Sequence, residues 1–76
     1  MPKLPVLKPR QVIVALERAG FRQVRQKGSH VQLKRGNLLV TVPNHSGDLN
    51  PHVLKSILRQ AQMSEEEFAE WLKGKK

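Results

Sequence analysis

Apolar side chains fall into blocks along the chain, each with its own period. Val12, Ile13, Leu16 and Ala19 recur at i, i+1, i+4 and i+7, the spacing that lines one face of an α-helix. Pro9 suits the first turn, where its missing N–H is not needed, and Gly20 follows as a stop, so the pattern predicts a helix over residues 9–19. The run from Phe21 to Lys27 is short and basic. From Ser29 to Lys34 the chain alternates, with Val31 and Leu33 on one side and His30, Gln32 and Lys34 on the other, as in a half-buried strand. Gly28 separates these two runs. After Arg35-Gly36-Asn37, a turn signal, Leu38 to Val42 reads as a third, more buried strand, which completes a three-stranded antiparallel meander.

The segment Pro43-Asn44-His45-Ser46-Gly47-Asp48 is a loop by composition, and Asn50-Pro51 supplies an N-cap and a first-turn proline for a second helix. Val53, Leu54, Ile57, Leu58 and Ala61 form its apolar stripe, while Lys55 and Arg59 stand four apart on another face. Past a break near Met63, Ser64 and Glu67 have the spacing of a capping box that restarts helix for Phe68, Trp71 and Leu72. The predicted class is therefore α+β, in the order α-β-β-β-α with a short extra C-terminal helix. An amphipathic helix on each side of a meander is buried most simply when both helices pack on one sheet face and the other face stays wet. No repeat, low-complexity tract or linker interrupts residues 1–76, which read as a single domain.

Composition narrows the function. Fourteen Lys and Arg stand against six Asp and Glu, a net charge of +8 on 76 residues, and there is no cysteine. Disulfide frameworks and thiolate zinc sites are excluded, and the three histidines match no standard ligand spacing, so neither metal nor cofactor is expected. With no h-region at the start and no stretch approaching the ~20 apolar residues of a membrane span, a soluble cytoplasmic protein is expected. The charge is uneven. Residues 1–36 hold nine basic side chains against the single acid Glu17, whereas the remainder is balanced. That distribution suits a polyanionic partner, although a merely solvated basic surface, or a ribosomal or architectural protein, fits it too.

On the predicted fold His30 faces outward on a basic strand, where it has no packing role. Cleavage of RNA through its own 2′-hydroxyl needs a group that exchanges protons near neutral pH and cations that stabilise charge on phosphorus. Histidine is the residue type for the first task. Arg25, Lys27 and Lys34 are candidate phosphate contacts or else solvated charges. His45 is a candidate second proton carrier or a loop-capping residue. Lys8 and Arg10 place cations at a helix start, where the dipole favours an anion, which makes them further candidates for RNA binding. Lys55 and Arg59 are candidate contacts for RNA or an acidic partner. His52, in a helical first turn, is given no role. Phe21, Phe68 and Trp71 sit on core positions, so base stacking on aromatic platforms is not expected.

The runs Lys8 to Phe21, Arg25-Gln26-Lys27-Gly28-Ser29-His30, Val42-Pro43-Asn44-His45, Leu54 to Ala61 and Ser64 to Phe68, in this order, resemble the HicA-type (YcfA-like) toxin family over nearly the whole chain. The resemblance implies a double-stranded-RNA-binding-like fold, ribosome-independent cleavage of mRNA, and neutralisation by a HicB-type antitoxin; the expected substrate is single-stranded mRNA, and the expected state is a monomer when free and a hetero-oligomer with the antitoxin. The family's G-[S/T]-H motif falls on Gly28, Ser29 and His30, which implies that His30 is catalytic and that Gly28 and Ser29 support it. One departure is Pro51-His52-Val53-Leu54, where family members often read G-T-L; this bears on antitoxin contacts rather than on catalysis. The alternatives are a non-catalytic basic RNA-binding module, or a decayed toxin that only binds its partner.

Overall fold

The computed structural model describes residues 6–74; of the cations counted above, Lys3, Lys75 and Lys76 lie outside them. The elements are α1 (Pro9–Arg18), β1 (Arg22–Lys27), β2 (His30–Arg35), β3 (Leu38–Pro43), α2 (Pro51–Ala61) and α3 (Glu65–Leu72). The strands form one antiparallel sheet in the order β1-β2-β3. This is the α-β-β-β-α arrangement, double-stranded-RNA-binding-like, that the sequence predicts.

Each helix boundary has a local cause. At the start of α1 the Gln11 side-chain oxygen accepts the Lys8 N–H at 2.9 Å. At its end the Phe21 and Gly20 N–H groups fold back onto the carbonyls of Leu16 and Glu17, both at 3.0 Å, with Gly20 at φ +103°. Asn50 Oδ1 accepts the His52 N–H at 2.8 Å to open α2, and Ser64 Oγ accepts the Glu67 N–H at 3.0 Å to open α3. Three glutamates in the first turn of α3 also suit the positive end of its dipole.

One core joins the layers. Val31 and Leu33 of β2 and Val40 and Val42 of β3, each at most 2% exposed, face Val12, Ile13, Leu16, Leu54, Ile57 and Leu58 of the helices. Leu7 and Leu49 belong to it as well, tied by a 2.7 Å bond from the Leu49 N–H to the Leu7 carbonyl; neither lies on a periodic pattern. α3 adds Phe68 and packs on α1, where the Arg18 guanidinium donates to the carbonyls of Trp71 and Leu72 at 3.1 and 3.3 Å, closing the C-terminal end of α3. Trp71 is only half-buried.

The sheet edges differ. On β3 the Thr41 N–H is taken by the Gln60 side chain of α2 at 3.1 Å, and Pro43 has no N–H to offer. β1 lies beyond the helical cover: all six of its residues are exposed, and a bulge interrupts its pairing at Val24. Charge and bulge together blunt this edge against strand addition. The strand is anchored just before it begins by buried Phe21, whose ring lies 4.9 Å beneath the Arg35 guanidinium; Arg35 also donates to the Ala19 carbonyl at 2.8 Å.

Candidate functional site

Because directly opposed residues share a face, the strand register defines a grid on the side of the sheet away from the helices. Its first row is Lys27, His30 and Pro43; its second is Arg25, Gln32 and Thr41; its third is Arg22, Lys34 and Leu39. Rows are about 7 Å apart along the strands and columns about 4.8 Å apart across them. The β1 and β2 columns hold five basic or imidazole groups, all exposed. No ion pair with Arg22, Arg25, Lys27 or Lys34 forms among the described residues.

The bulge explains how β1 contributes three cations to one face. Strict alternation back from Lys27 sends Arg25 and Gln23 outward and turns Arg22 inward. The extra residue, Val24, resets the phase, so Arg22 joins Lys34 while Gln23 turns toward the helices and its amide reaches Glu17 at 3.4 Å. Arg22 is thus a candidate site residue that simple alternation misses. Val24, an apolar side chain 48% exposed amid charges, is its one trace in the sequence.

His30 opens β2 at the turn of the first hairpin. Lys27 and His30 form the last pair, and Gly28-Ser29 make a two-residue loop with φ +59° at Gly28 and no positive φ at Ser29, the signs of a type II′ turn. A Cβ on Gly28 would meet nothing within 4 Å, so the demand for glycine here is conformational rather than steric. The Gln26 amide braces the turn by donating to the Gly28 carbonyl at 3.2 Å. On the other side the Asn44 N–H donates to the Ser29 carbonyl at 2.6 Å, which brings the loop after β3 to the same end of the sheet.

That loop carries His45, exposed, with Nδ1 2.9 Å from the Ser46 carbonyl oxygen. A carbonyl only accepts, so in this contact Nδ1 is the donor. Gly28, Ser29, His30, Lys27 and the His45 loop are therefore gathered at one end of the grid, and Arg25 and Lys34 lie along it. Lys8 and Arg10 are not brought there: with Gln11, Val14, Arg18 and Leu72 they line a depression on the helical layer, because α1 packs against the opposite face of the sheet. Lys55 and Arg59 line another, with Leu58, Met63, Ser64 and Glu65, at the end of α2. His52 is exposed at the start of that helix.

Among the described residues no three His, Asp or Glu side chains converge as a metal site would require. None of their helices is long and apolar enough to cross a membrane. Residues 9–63 match the family model of the HicA toxin of bacterial toxin-antitoxin systems. The chain belongs to the HicA toxin family. No curated protein was found to match it. HicA membership makes the chain the toxin side of a pairing with an antitoxin. The matched segment runs from the start of α1 to just past α2 and includes the entire grid, while α3 lies beyond it.

Proposed function

We propose that this HicA toxin is an endoribonuclease that cuts single-stranded mRNA, with residues 1–76 acting as one domain and His30 as general acid or base. The observation that carries the proposal is the pairing of an exposed imidazole, His30, with a cation directly across the ladder, Lys27, at the open end of a basic face whose cations form no ion pair among the described residues. In the proposed step the 2′-oxygen attacks phosphorus and loses its proton to a base. The bond from phosphorus to the 5′-oxygen breaks, and that oxygen takes a proton from an acid. The products are a 2′,3′-cyclic phosphate and a 5′-hydroxyl. Lys27 stabilises the charge that builds on the phosphate oxygens, and Arg25 holds the neighbouring phosphate. His45 is the candidate for the second proton transfer, Gly28 and Ser29 hold His30 at the turn, and Lys34 extends the phosphate contacts.

A HicB-type antitoxin is proposed to cover the His30 face, converting a free monomer into an inactive hetero-oligomer in the cytoplasm. A complex that left His30 open to solvent would overturn that part.

The test is incubation of native protein and His30→Ala with a long unstructured RNA, folding being matched by circular dichroism. Cleavage by the native chain that falls by about 10²–10⁴ in the variant, the usual worth of a general acid or base, is the expected result. Activity abolished by EDTA and restored by magnesium would sink the cyclic-phosphate route. RNA bound but intact with both proteins would make the chain a binding module.

A further inference from the structure

The three columns of the grid differ in chemistry in a way that strand scission alone does not use. The β1 and β2 columns are cationic, whereas the β3 column, Leu39, Thr41 and Pro43, carries no charge, and Leu39 is 49% exposed on it. From this partition, and resting on RNA being the substrate as proposed above, we infer that a single RNA strand runs along the β-strand direction with its phosphates over β1 and β2 and its bases over Leu39 and Thr41 of β3. From His30 to Lys34 the grid spans about 14 Å in steps of about 7 Å, close to the separation of successive phosphates in an extended strand. The first row takes the phosphate to be cut, and the other two rows take two phosphates on one side of it.

The far end is shaped for the last of these. Gly20, Arg22, Val24, Lys34, Arg35 and Gly36 line a depression there. Arg35 is committed to the Ala19 carbonyl and the Phe21 ring, so Arg22 and Lys34 supply the free charge. One strand fits and a duplex does not. The cationic columns are one backbone wide, and a second phosphate ridge would fall on uncharged β3 or beyond it. Phosphate contacts position a chain without reading it, while contacts to base edges discriminate. The grid therefore separates the two tasks: Arg22, Arg25 and Lys34 set affinity, and Leu39, an apolar surface, with the Thr41 hydroxyl, which can donate or accept, sets base preference.

The experiment measures binding of fluorescent single-stranded U10 and A10 RNA to His30→Ala, which removes cutting, over a range of salt. Adding Arg22→Gln with Lys34→Gln is expected to weaken both oligonucleotides equally and to reduce the slope of log K against log salt by about 0.7, the loss of the one phosphate that this row holds on a single strand. Adding Leu39→Ala with Thr41→Val is expected to leave that slope intact and change the U10 to A10 affinity ratio at least threefold. Two results would overturn the path: a slope reduced by Lys8→Gln with Arg10→Gln on the helical layer but not by the grid pair, or a ratio unmoved by the β3 pair. Duplex RNA bound as tightly as the single strands would also overturn it. Cleavage does not enter these readouts, so a native chain that binds in this way yet leaves RNA intact would sink the nuclease proposal and leave the path standing.

Discussion

At Gly28 the backbone, rather than the side chain's surroundings, demands the residue. Its φ of +59° lies where an L-residue pays about 1–2 kcal/mol, and open space around it removes any steric explanation. Gly28→Ala should therefore lower Tm by several degrees, at about 4–8 °C per kcal/mol for a chain of this size. D-alanine at the same position, introduced by chemical synthesis, should leave Tm near the native value, because its mirror-image preference suits positive φ. An equal loss with both enantiomers would show that the turn needs an absent Cβ, not a permitted φ. His30 follows immediately after this turn, so the same residue that closes the hairpin fixes where the imidazole stands. Arg35 is the counterexample among the cations. It sits beside Arg22 and Lys34 in sequence pattern and charge, yet its guanidinium caps α1 and covers Phe21, so it belongs to the fold before it belongs to the surface.

At the scale of the elements, helix ends explain more than helix interiors. Gln62 ends α2 in the left-handed region, φ 54° and ψ 47°, while its N–H bonds the Arg59 carbonyl at 3.1 Å and the Met63 N–H bonds the Leu58 carbonyl at 2.9 Å. This is a glycine position occupied by glutamine. Gln62→Gly should raise stability by about 0.5–1 kcal/mol, relief of the left-handed strain being partly offset by a freer unfolded chain. Chemical denaturation at constant m would measure it, and a loss of stability would mean that the glutamine side chain holds the turn. The sequence carries α1, α2, α3 and the hairpins plainly, since each has periodic apolar positions, a cap or a two-residue turn. β1 is harder to read. All six of its residues are exposed, so no alternation of burial is written into them, and the bulge at Val24 shifts the phase by one. His30, Lys34 and Arg25 can be placed on the open face from the alternation of β2 and its pairing. Arg22 cannot, because only the bulge turns it outward. Lys8 and Arg10 look like part of the same basic region along the chain and are separated from it only when α1 folds under the sheet. Leu7 and Leu49 are illegible for a related reason: each lies in a short coil segment, and their pairing exists only in three dimensions.

For the whole molecule, the uneven charge has a consequence that needs no ligand. The +8 net charge comes from residues 1–36, and in the fold Arg22 stands directly opposite Lys34 with no ion pair to either among the described residues. Like charges opposed across a ladder destabilise it, and an excess of one sign repels itself through the compact state. Salt should relieve this, because the screening length falls from about 10 Å at 0.1 M to about 3 Å at 1 M. The free toxin is therefore expected to gain stability with added sodium chloride, its Tm rising by a few degrees between about 0.05 and 0.5 M, over the same range in which its affinity for RNA drops. Opposite signs for these two dependences would follow from one cause, like charges crowded on one face of the sheet. Arg22→Gln with Lys34→Gln separates this from general salting-out, since the variant should start at a higher Tm and rise less. A variant that climbs as steeply as the native chain would assign the effect to the solvent rather than to the grid. An antitoxin that covers this face with acidic side chains would stabilise the toxin for the same reason that salt does, and the gain it confers should shrink as salt is raised.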